Sequence, residues 1–271
     1  MLFFGRKKKN RVAVVKVEGV IADNDSFGAS RAKVTAALKE AERKKAKSIV
    51  LRVNSPGGSV AACQEIYSAI AELRGKGIPV VASMGDVAAS GGVYISMAAD
   101  EIIANPGTVT GSIGVIIRSS DLSDLYRKVG ISPKVVKSGP HKDMLATYRS
   151  FSTDEQSLLQ DLIADTHSQF VEVIANARRK STEEVGQVAD GRILSGRQAM
   201  HLGLIDALGG LDYAVKRAAA LAGIKEEPAI LSIHIRKGFL QRLFLPVSGY
   251  GQAALLKGGL SDIPLWLLPS I

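Results

Sequence analysis

The sequence predicts an α/β protein with a parallel central sheet and crossover helices. Three β-branched or apolar runs, at residues 12–17, 48–53 and 79–84, have the length and composition of strands. Two amphipathic stretches with helical spacing, residues 30–45 and 60–74, lie between them. Strands and helices that alternate in this way form parallel pairs, because each helix carries the chain back across the sheet.

The remaining elements extend this pattern toward a helical C-terminal part. Thr153, followed by two acidic residues, is the predicted N-cap of a long helix that ends near residue 179. The other predicted strands are residues 101–104, 109–116, 133–136 and 229–235, and the other predicted helices are residues 122–129, 182–188, 195–202 and 211–221.

Composition divides the chain of 271 residues into three parts. Residues 1–11 hold five basic residues and no acidic one, residues 12–237 form the predicted folded domain, and residues 238–271 are rich in Phe, Leu, Pro and Gly. An apolar share of 46% and a charged share of 23% are those of a globular domain. We expect the apolar C-terminal segment to contact a partner subunit or a membrane surface. The first residues predict either a peripheral membrane anchor or a solvated, disordered terminus.

Several classes of protein are disfavoured by composition. A single cysteine, Cys63, excludes an internal disulfide and a cysteine-based zinc cluster. Four scattered histidines show no metal-ligand spacing, so we expect no metal and no cofactor. Only the basic first residues favour the hypothesis that the protein binds nucleic acid, and an aromatic share of 5% argues against it.

The first residues of the chain predict its location in the cell. An apolar tip, Met1 to Phe4, precedes the basic cluster, which is the reverse of a cleavable signal peptide. No window approaches the roughly eighteen apolar residues of a membrane-spanning helix. We therefore expect a protein of the cytoplasm or of the cytoplasmic membrane surface.

The turn at residues 85–92 is the first candidate for a catalytic site. Ser90 follows a strand and precedes Gly91, Gly92 and an apolar helical segment. The N-terminus of a helix offers unpaired N–H groups, and glycines let a substrate approach the backbone closely. Ser90 therefore suits the role of a nucleophile beside a backbone oxyanion hole. The alternative is a helix N-cap serine.

A second glycine turn, Asn-Ser-Pro-Gly-Gly-Ser at residues 54–59, leaves the preceding strand. Ligands of open α/β sheets bind at the carboxyl ends of parallel strands. We therefore expect Gly57, Gly58, Ser90 and Gly91 to lie in one crevice. The alternative is an ordinary Pro-Gly turn.

The base that would activate Ser90 is less clear from the residues alone. His141 lies in a loop that could face the crevice, whereas His167 and His201 lie on predicted helices. Lys142 lies in the same glycine- and proline-bearing loop, and a lysine acts as a base where burial lowers its pKa. A single loop lysine is more often simply solvated.

Four segments follow one another in a specific order. They are Asn-Ser-Pro-Gly-Gly at 54–58, Ala-Ser-Gly-Gly-Val-Tyr at 89–94, Thr-Gly-Ser-Ile-Gly-Val at 110–115 and Lys-Ser-Gly-Pro-His-Lys-Asp at 137–143. Over residues 12–223 the chain resembles the signal peptide peptidase A (SppA) family, in its short single-unit form. These are serine peptidases with a Ser-Lys dyad on a ClpP/crotonase-like fold.

This resemblance implies a role for each matching residue. Ser90 would be the nucleophile, Lys142 the general base, and Ser112 the residue that orients the Lys142 amine. Backbone N–H groups of Gly91 and of Gly57 or Gly58 would form the oxyanion hole; the sequence leaves open which of the pair does so.

The resemblance also implies substrates and partners. The substrates would be signal peptides that remain after secretion, or other unfolded or membrane-associated peptides. Family members assemble into ring- or dome-shaped homo-oligomers, and they usually carry a transmembrane anchor that the first residues here do not resemble. Two rival readings stay open: a crotonase-type acyl-CoA enzyme and a catalytically silent membrane scaffold on the same fold.

Overall fold

A computed structural model describes residues 10–23 and 28–233 and the backbone of residues 265–267. The strands in chain order are β1 (Arg11–Glu18), β2 (Val20–Ala22), β3 (Gly28–Ser30), β4 (Ser48–Ser55), β5 (Gly57–Ser59), β6 (Val80–Ala88), β7 (Glu101–Ala104), β8 (Val109–Gly111), β9 (Ile193–Ser195), β10 (Ala207–Leu208), β11 (Ala229–Ser232) and β12 (Leu265–Leu267). The helices are α1 (Arg31–Arg43), α2 (Val60–Gly75), α3 (Gly91–Ser96), α4 (Ser123–Lys128), α5 (Thr153–Arg178), α6 (Thr182–Gly186), α7 (Gly196–His201) and α8 (Leu211–Leu221).

The central sheet confirms the predicted α/β fold class. Its strands run in the order β10-β7-β6-β4-β1-β11, and every pair along this path is parallel. Strand β8 adds to β6 in parallel, and β9 adds to β8 in antiparallel orientation. Strands β4 and β6 are neighbours, so the two glycine turns leave the same edge of the sheet.

Helices cover both faces of this sheet. In β1, Ala13, Val15 and Val17 belong to the larger core cluster, which includes apolar residues of α1, α2 and α5. Val12 and Val14 belong to the second cluster, which includes apolar residues of α8. Strand side chains alternate between faces, so a strand buried on both sides has a continuous apolar sequence.

A second, smaller sheet contains part of the second glycine turn. Its order is β12-β5-β2-β3, with β2 parallel to both β3 and β5. Strand β12 pairs with β5 in antiparallel orientation. The glycine turn at residues 54–59 therefore contains a three-residue strand, where the sequence predicts a turn.

Several local predictions were wrong, and the strand predicted at residues 109–116 ends at Gly111. Residues 133–136 form no strand, and Val136 is fully exposed. The N-cap of α5 is Ser152, not Thr153: its Oγ accepts the Glu155 N–H, and the Glu155 carboxylate accepts the Ser152 N–H. Strand β6 continues beyond Met84 to Ala88, because the Asn54 side chain accepts the Val87 N–H at 3.0 Å and supports the extension.

The predicted boundaries at the two ends stay predictions. Residues 1–9 of the basic segment and most of the apolar segment 238–271 lie outside the described residues. Within the described ranges, no helix has both the length and the apolar character that crossing a bilayer would require.

Candidate active site

Ser90 occupies the junction between β6 and α3 in an unusual conformation. Its backbone has φ 51° and ψ −115°, a combination that L-residues rarely adopt. The residue is fully buried, and its side chain forms no capping hydrogen bond with α3. Among the described residues its Oγ has no hydrogen-bond partner. The N-cap alternative therefore does not explain Ser90.

The two glycine turns meet directly beside Ser90. A Cβ added to Gly91 would lie 3.2 Å from the Gly57 Cα and 3.2 Å from the Gly58 N. The backbone of Gly91 is thus packed against the Gly57-Gly58 pair, with no side chain between them. The Gly57 N–H donates to the Ser55 Oγ at 3.1 Å, so this amide would have to change partner to bind an oxyanion.

Cys63 closes the same junction from α2. Its Sγ would lie 2.6 Å from a Cβ on Gly91, which leaves no room for any side chain at that position. Cys63 is fully buried, and burial raises the pKa of its thiol. Cys63 is thus a small residue of the larger core cluster.

Ser112 is tied to Ser90 through the backbone. The Ser90 N–H donates to the Gly111 carbonyl at 2.8 Å, and the Ser112 N–H donates to the Arg192 carbonyl at 2.7 Å. Ser112 is buried and also has a positive φ of 51°. The β8–β9 pairing therefore positions Ser112 beside the Ser90 turn.

Lys142 is not hydrogen-bonded to Ser90 in this structure, because the Ser90 Oγ has no partner within the described part of the chain. Lys142 is exposed in the loop between α4 and α5, where its N–H donates to the Gly139 carbonyl at 3.3 Å. His141, the alternative base in this loop, lies 3.4 Å from the carboxylate of Asp154. The structure thus brings together Ser90, Ser112 and the glycines, whereas Lys142 is exposed and forms no hydrogen bond with Ser90.

An ion-pair network that the sequence does not predict anchors the Lys142 loop. The Asp143 carboxylate accepts hydrogen bonds from Lys137, Tyr148 and Arg149 at 2.6, 2.7 and 2.6 Å. Arg149 also donates to the nearly buried Glu155 at 2.6 Å and so links the loop to α5. The residue after Lys142 is therefore attached to the first turn of α5.

Hydrogen bonds from Arg149 determine the titration of both carboxylates. They hold the pKa of Asp143 well below its ordinary range, with Lys137 and Tyr148 contributing. Arg149, helped by the Ser152 N–H, lowers the pKa of Glu155 to about 2. The sequence gives one indication of this network, the Ser-x-x-Glu pattern at residues 152–155. This pattern is typical of a capping box.

A cavity of about 450 Å³ adjoins Ser112 and lies against α5. Apolar residues such as Val115 and Ile163 line it together with Gln160 and His167. The His167 Nε2 is buried and has no partner among the described residues. The walls of the cavity could receive a side chain with apolar surface. Groups of His, Cys, Asp and Glu able to hold a metal are absent from the described part.

Family comparisons agree with this geometry. A family model described as Peptidase family S49 matches residues 72–225, and one described as Clp protease matches residues 11–108. The chain belongs to peptidase family S49. The first match contains Ser90, Ser112 and Lys142, and the second contains both glycine turns. Membership of family S49 confirms the predicted serine-type peptidase class and the ClpP-like fold.

Relatives of this S49 peptidase carry protease names. The chain is 45% identical, over 89% of its length and 85% of the relative's, to a Synechocystis sp. protein named as a protease. It is 36% identical to Protease 4 of Salmonella typhi over 82% of its length, but spans only 38% of that protein. It is 38% identical over 73% of its length to an Enterococcus faecium protein named as a signal peptide peptidase, SppA, of which it spans 60%.

Proposed function

We propose that this S49 peptidase is an endopeptidase in which Ser90 is the nucleophile and Lys142 the general base. The observation that carries the proposal is the state of Ser90. Its hydroxyl is buried and unpaired among the described residues, in a rare backbone conformation, next to three glycines. Strained residues of this kind cluster at active sites. Burying a hydroxyl without a partner costs stability, which a catalytic role accounts for.

The Lys142 loop has to approach Ser90 for the dyad to form. A general base works within about 2.6–3.2 Å of the proton it removes, and such contacts often tighten only when substrate binds. Ser112, fixed beside Ser90 by the backbone, would then accept a hydrogen bond from the Lys142 amine and orient it.

The chemistry follows from this arrangement. The neutral Lys142 amine takes the proton of the Ser90 hydroxyl while the Oγ attacks the carbonyl carbon of a peptide bond. The N–H groups of Gly91 and of Gly57 or Gly58 bind the oxyanion. The Lys142 ammonium then protonates the leaving amine, which leaves an acyl-enzyme. Water attacks the ester, gives up a proton to Lys142 and releases the acid and the Ser90 hydroxyl.

The substrates we propose are signal peptides that remain after secretion and other unfolded or membrane-associated peptides. One relative is named for signal peptides, and the cavity beside Ser112 offers apolar walls to a substrate side chain. A location in the cytoplasm or at the cytoplasmic membrane surface would expose the enzyme to such peptides.

We also propose that the chain assembles into a ring- or dome-shaped homo-oligomer. The segment between β8 and α5 exposes a set of apolar residues that we call the apolar arm: Leu125, Val129, Ile131, Val135 and Val136. Several large apolar residues exposed in one segment favour an interface there. A second copy that covers the arm would also confine the adjacent Lys142 loop.

The direct test compares cleavage of a synthetic signal peptide and of an unfolded protein by purified variants. Ser90→Ala and Lys142→Ala should each lower kcat by about 10⁴-fold. Ser48→Ala is a matched control, because the Ser48 Oγ is also buried and unpaired among the described residues but lies at the start of β4. Lys134→Ala controls for loss of an exposed loop lysine. Wild-type rates in folded Ser90→Ala would overturn the assignment and leave the acyl-CoA and scaffold readings.

A further inference from the structure

Thr110 opens the segment 110–115, and the proposed mechanism gives it no role. Its side chain is buried, with 2% of the residue exposed. Its Oγ1 donates a hydrogen bond to the Ala88 carbonyl at 2.7 Å. The Met84 Sδ lies 3.7 Å from the same oxygen, but a thioether is a weak acceptor. The Thr110 hydroxyl therefore binds the main chain shortly before Ser90.

The peptide bond between Ala88 and Ala89 is held at both of its polar groups. Its carbonyl accepts the Thr110 hydroxyl, and its N–H donates to the Ser55 carbonyl at 3.1 Å. A peptide group is planar, so a hydrogen bond at each of these groups limits its rotation. The group cannot turn without breaking at least one of the two.

The next peptide bond, between Ala89 and Ser90, is held in the same way. Its carbonyl accepts the Gly92 N–H at 2.8 Å, and its N–H donates to the Gly111 carbonyl at 2.8 Å. Adjacent residues of β8, Thr110 and Gly111, thus each supply a hydrogen bond to one of these two peptide bonds. The direction in which the Ser90 side chain leaves the backbone depends on both.

The Thr110 hydroxyl differs from the other three partners because it belongs to a side chain. The others are main-chain groups of Ser55, Gly92 and Gly111. Ser90 has a positive φ of 51°, and such a conformation persists only where surrounding contacts impose it. Among these four contacts, the Thr110 hydroxyl is the one that depends on a particular side chain.

We infer that Thr110 is a positioning residue for the nucleophile. Its hydroxyl holds the peptide bond between Ala88 and Ala89 so that the Ser90 Oγ is directed toward the scissile carbonyl. The inference rests on the proposed function for the reaction that this orientation serves. Because Thr110 acts through the backbone, its loss should slow the chemical step and leave substrate binding nearly unchanged.

Thr108 offers a matched control. It is also 2% exposed, and its Oγ1 donates to the Gly85 carbonyl of β6 at 2.7 Å and accepts the Asn105 N–H at 3.1 Å. Gly85 lies farther from Ser90 along β6 than Ala88 does. Loss of the Thr108 hydroxyl removes two hydrogen bonds of the same region, so it tests whether weakening β6 at any point is enough to slow catalysis.

Valine variants of the full chain test the inference with a synthetic signal peptide as substrate. Thr110→Val replaces the hydroxyl with a methyl group of similar size. A misplacement of about 1 Å can cost about 100-fold in rate, so kcat should fall about 100-fold with little change in KM. Thr110→Ser keeps the hydroxyl and should recover most of kcat. Thr108→Val should keep the wild-type kcat, and thermal unfolding checks that each variant is folded at the assay temperature.

The outcomes separate this inference from the proposed function. A wild-type kcat in Thr110→Val, equal losses in the two valine variants, or a rise in KM at constant kcat would overturn the inference alone, provided that Ser90→Ala is inactive. Cleavage at the wild-type rate by folded Ser90→Ala would overturn the proposed function instead. If Thr110→Val does not fold, Thr110→Ala removes the same hydroxyl and takes its place in the comparison.

Hydrogen exchange of the Ser90 amide gives a readout that does not require cleavage. Loss of one hydrogen bond changes a local opening equilibrium by about five- to tenfold. The Ser90 N–H should therefore exchange about five- to tenfold faster in Thr110→Val than in the wild type, and at the wild-type rate in Thr108→Val. Equal exchange in Thr110→Val and wild type would overturn the inference. This readout decides alone if the wild type does not cleave the peptide.

Discussion

The N–H of Ser90 donates to the carbonyl of Gly111 at 2.8 Å, so the nucleophile turn is held by the residue that precedes Ser112. Both Ser90 and Ser112 have φ of 51°. Backbone conformations of this kind cost about 1–3 kcal/mol each and persist only where surrounding contacts impose them. The β6–β8 pairing supplies those contacts and places two candidate catalytic residues next to each other.

Gly58→Ala should prevent formation of the small sheet. Its Cβ would lie 1.8 Å from the carbonyl oxygen of Ile21, and a backbone atom of a buried strand cannot move away without breaking the β2–β5 pairing. We expect a loss of at least about 3 kcal/mol in the free energy of unfolding, measured by denaturant titration. The control is Gly107→Ala, where a Cβ would meet nothing within 4 Å. Equal stability of the two variants would contradict the geometry.

Gly91→Ala should be coupled energetically to Cys63. The added Cβ would lie 2.6 Å from the Cys63 Sγ, so the single variant should lose about 1–3 kcal/mol through overpacking. Cys63→Ala removes that Sγ, and the double variant should lose less than the sum of the two single variants. A double-mutant cycle by chemical denaturation measures this coupling. Additive losses would show that the thiol is not what excludes a side chain.

Arg149→Ala should slow peptide cleavage, although Arg149 itself does not contact the reacting groups. Arg149 joins Asp143 to Glu155, and its loss frees the Lys142 loop from α5. Misplacement of a catalytic group by about 1 Å can cost about 100-fold in rate, so we expect kcat to fall more than KM changes.

Two variants test the role of Arg149 as a positioning residue. Arg149→Lys keeps the charge but not the fork that reaches both carboxylates, so it should rescue kcat only in part. Arg43→Ala, which breaks an exposed ion pair with Glu40, should leave kcat unchanged. If Arg149→Ala raised KM at constant kcat, the network would act on substrate binding instead.

Acid should weaken the anchor of the Lys142 loop. The folded-state pKa of Glu155 is lowered to about 2, below its ordinary value of about 4.3. Such a carboxylate adds stability above the unfolded-state pKa, and this contribution is lost as the pH falls toward about 2. Denaturant unfolding should show wild type more stable than Glu155→Gln near neutral pH, with the difference shrinking below about pH 4. A difference that is constant with pH would show that the Glu155 charge contributes nothing.

Charges placed on the apolar arm should dissociate the proposed oligomer. Val136 is fully exposed and Leu125 is 52% exposed, so Glu at either position should cost the monomer little. Light scattering after size exclusion should show an oligomer for wild type and a smaller species for Leu125→Glu with Val136→Glu. The control is Ile230→Glu, an exposed apolar residue on β11 outside the arm. A monomeric wild type would contradict the assembly.

The sequence predicted the central sheet because its signals are local. Strands β4, β6 and β7 are continuous apolar runs, and α8 has the predicted bounds because its apolar residues recur at helical spacing. Strand β5 was missed because three residues rich in glycine carry no apolar pattern, and only their pairing with β2 makes them a strand. Residues 133–136 looked like a strand, yet no neighbouring strand pairs with them in the described structure.

For the candidate site, the sequence identified residue types but not their geometry. Ser90 and the glycines could be predicted to converge, because both turns end parallel strands. The Arg149 network could not, because its partners belong to an irregular loop and a helix N-terminus whose relative position depends on tertiary packing. His167 looked like an ordinary helix residue, since nothing in its neighbourhood indicated a cavity beside Ser112.

The complete burial of Ser90 has a consequence for chemical profiling of serine hydrolases. Broad fluorophosphonate reagents label a serine only when they can touch its hydroxyl, and small warheads on polar linkers gain little from the apolar walls of the cavity beside Ser112. The resting enzyme should therefore be under-represented in activity-based proteomes. A warhead carried on an extended apolar peptide is the reagent whose shape this site would admit.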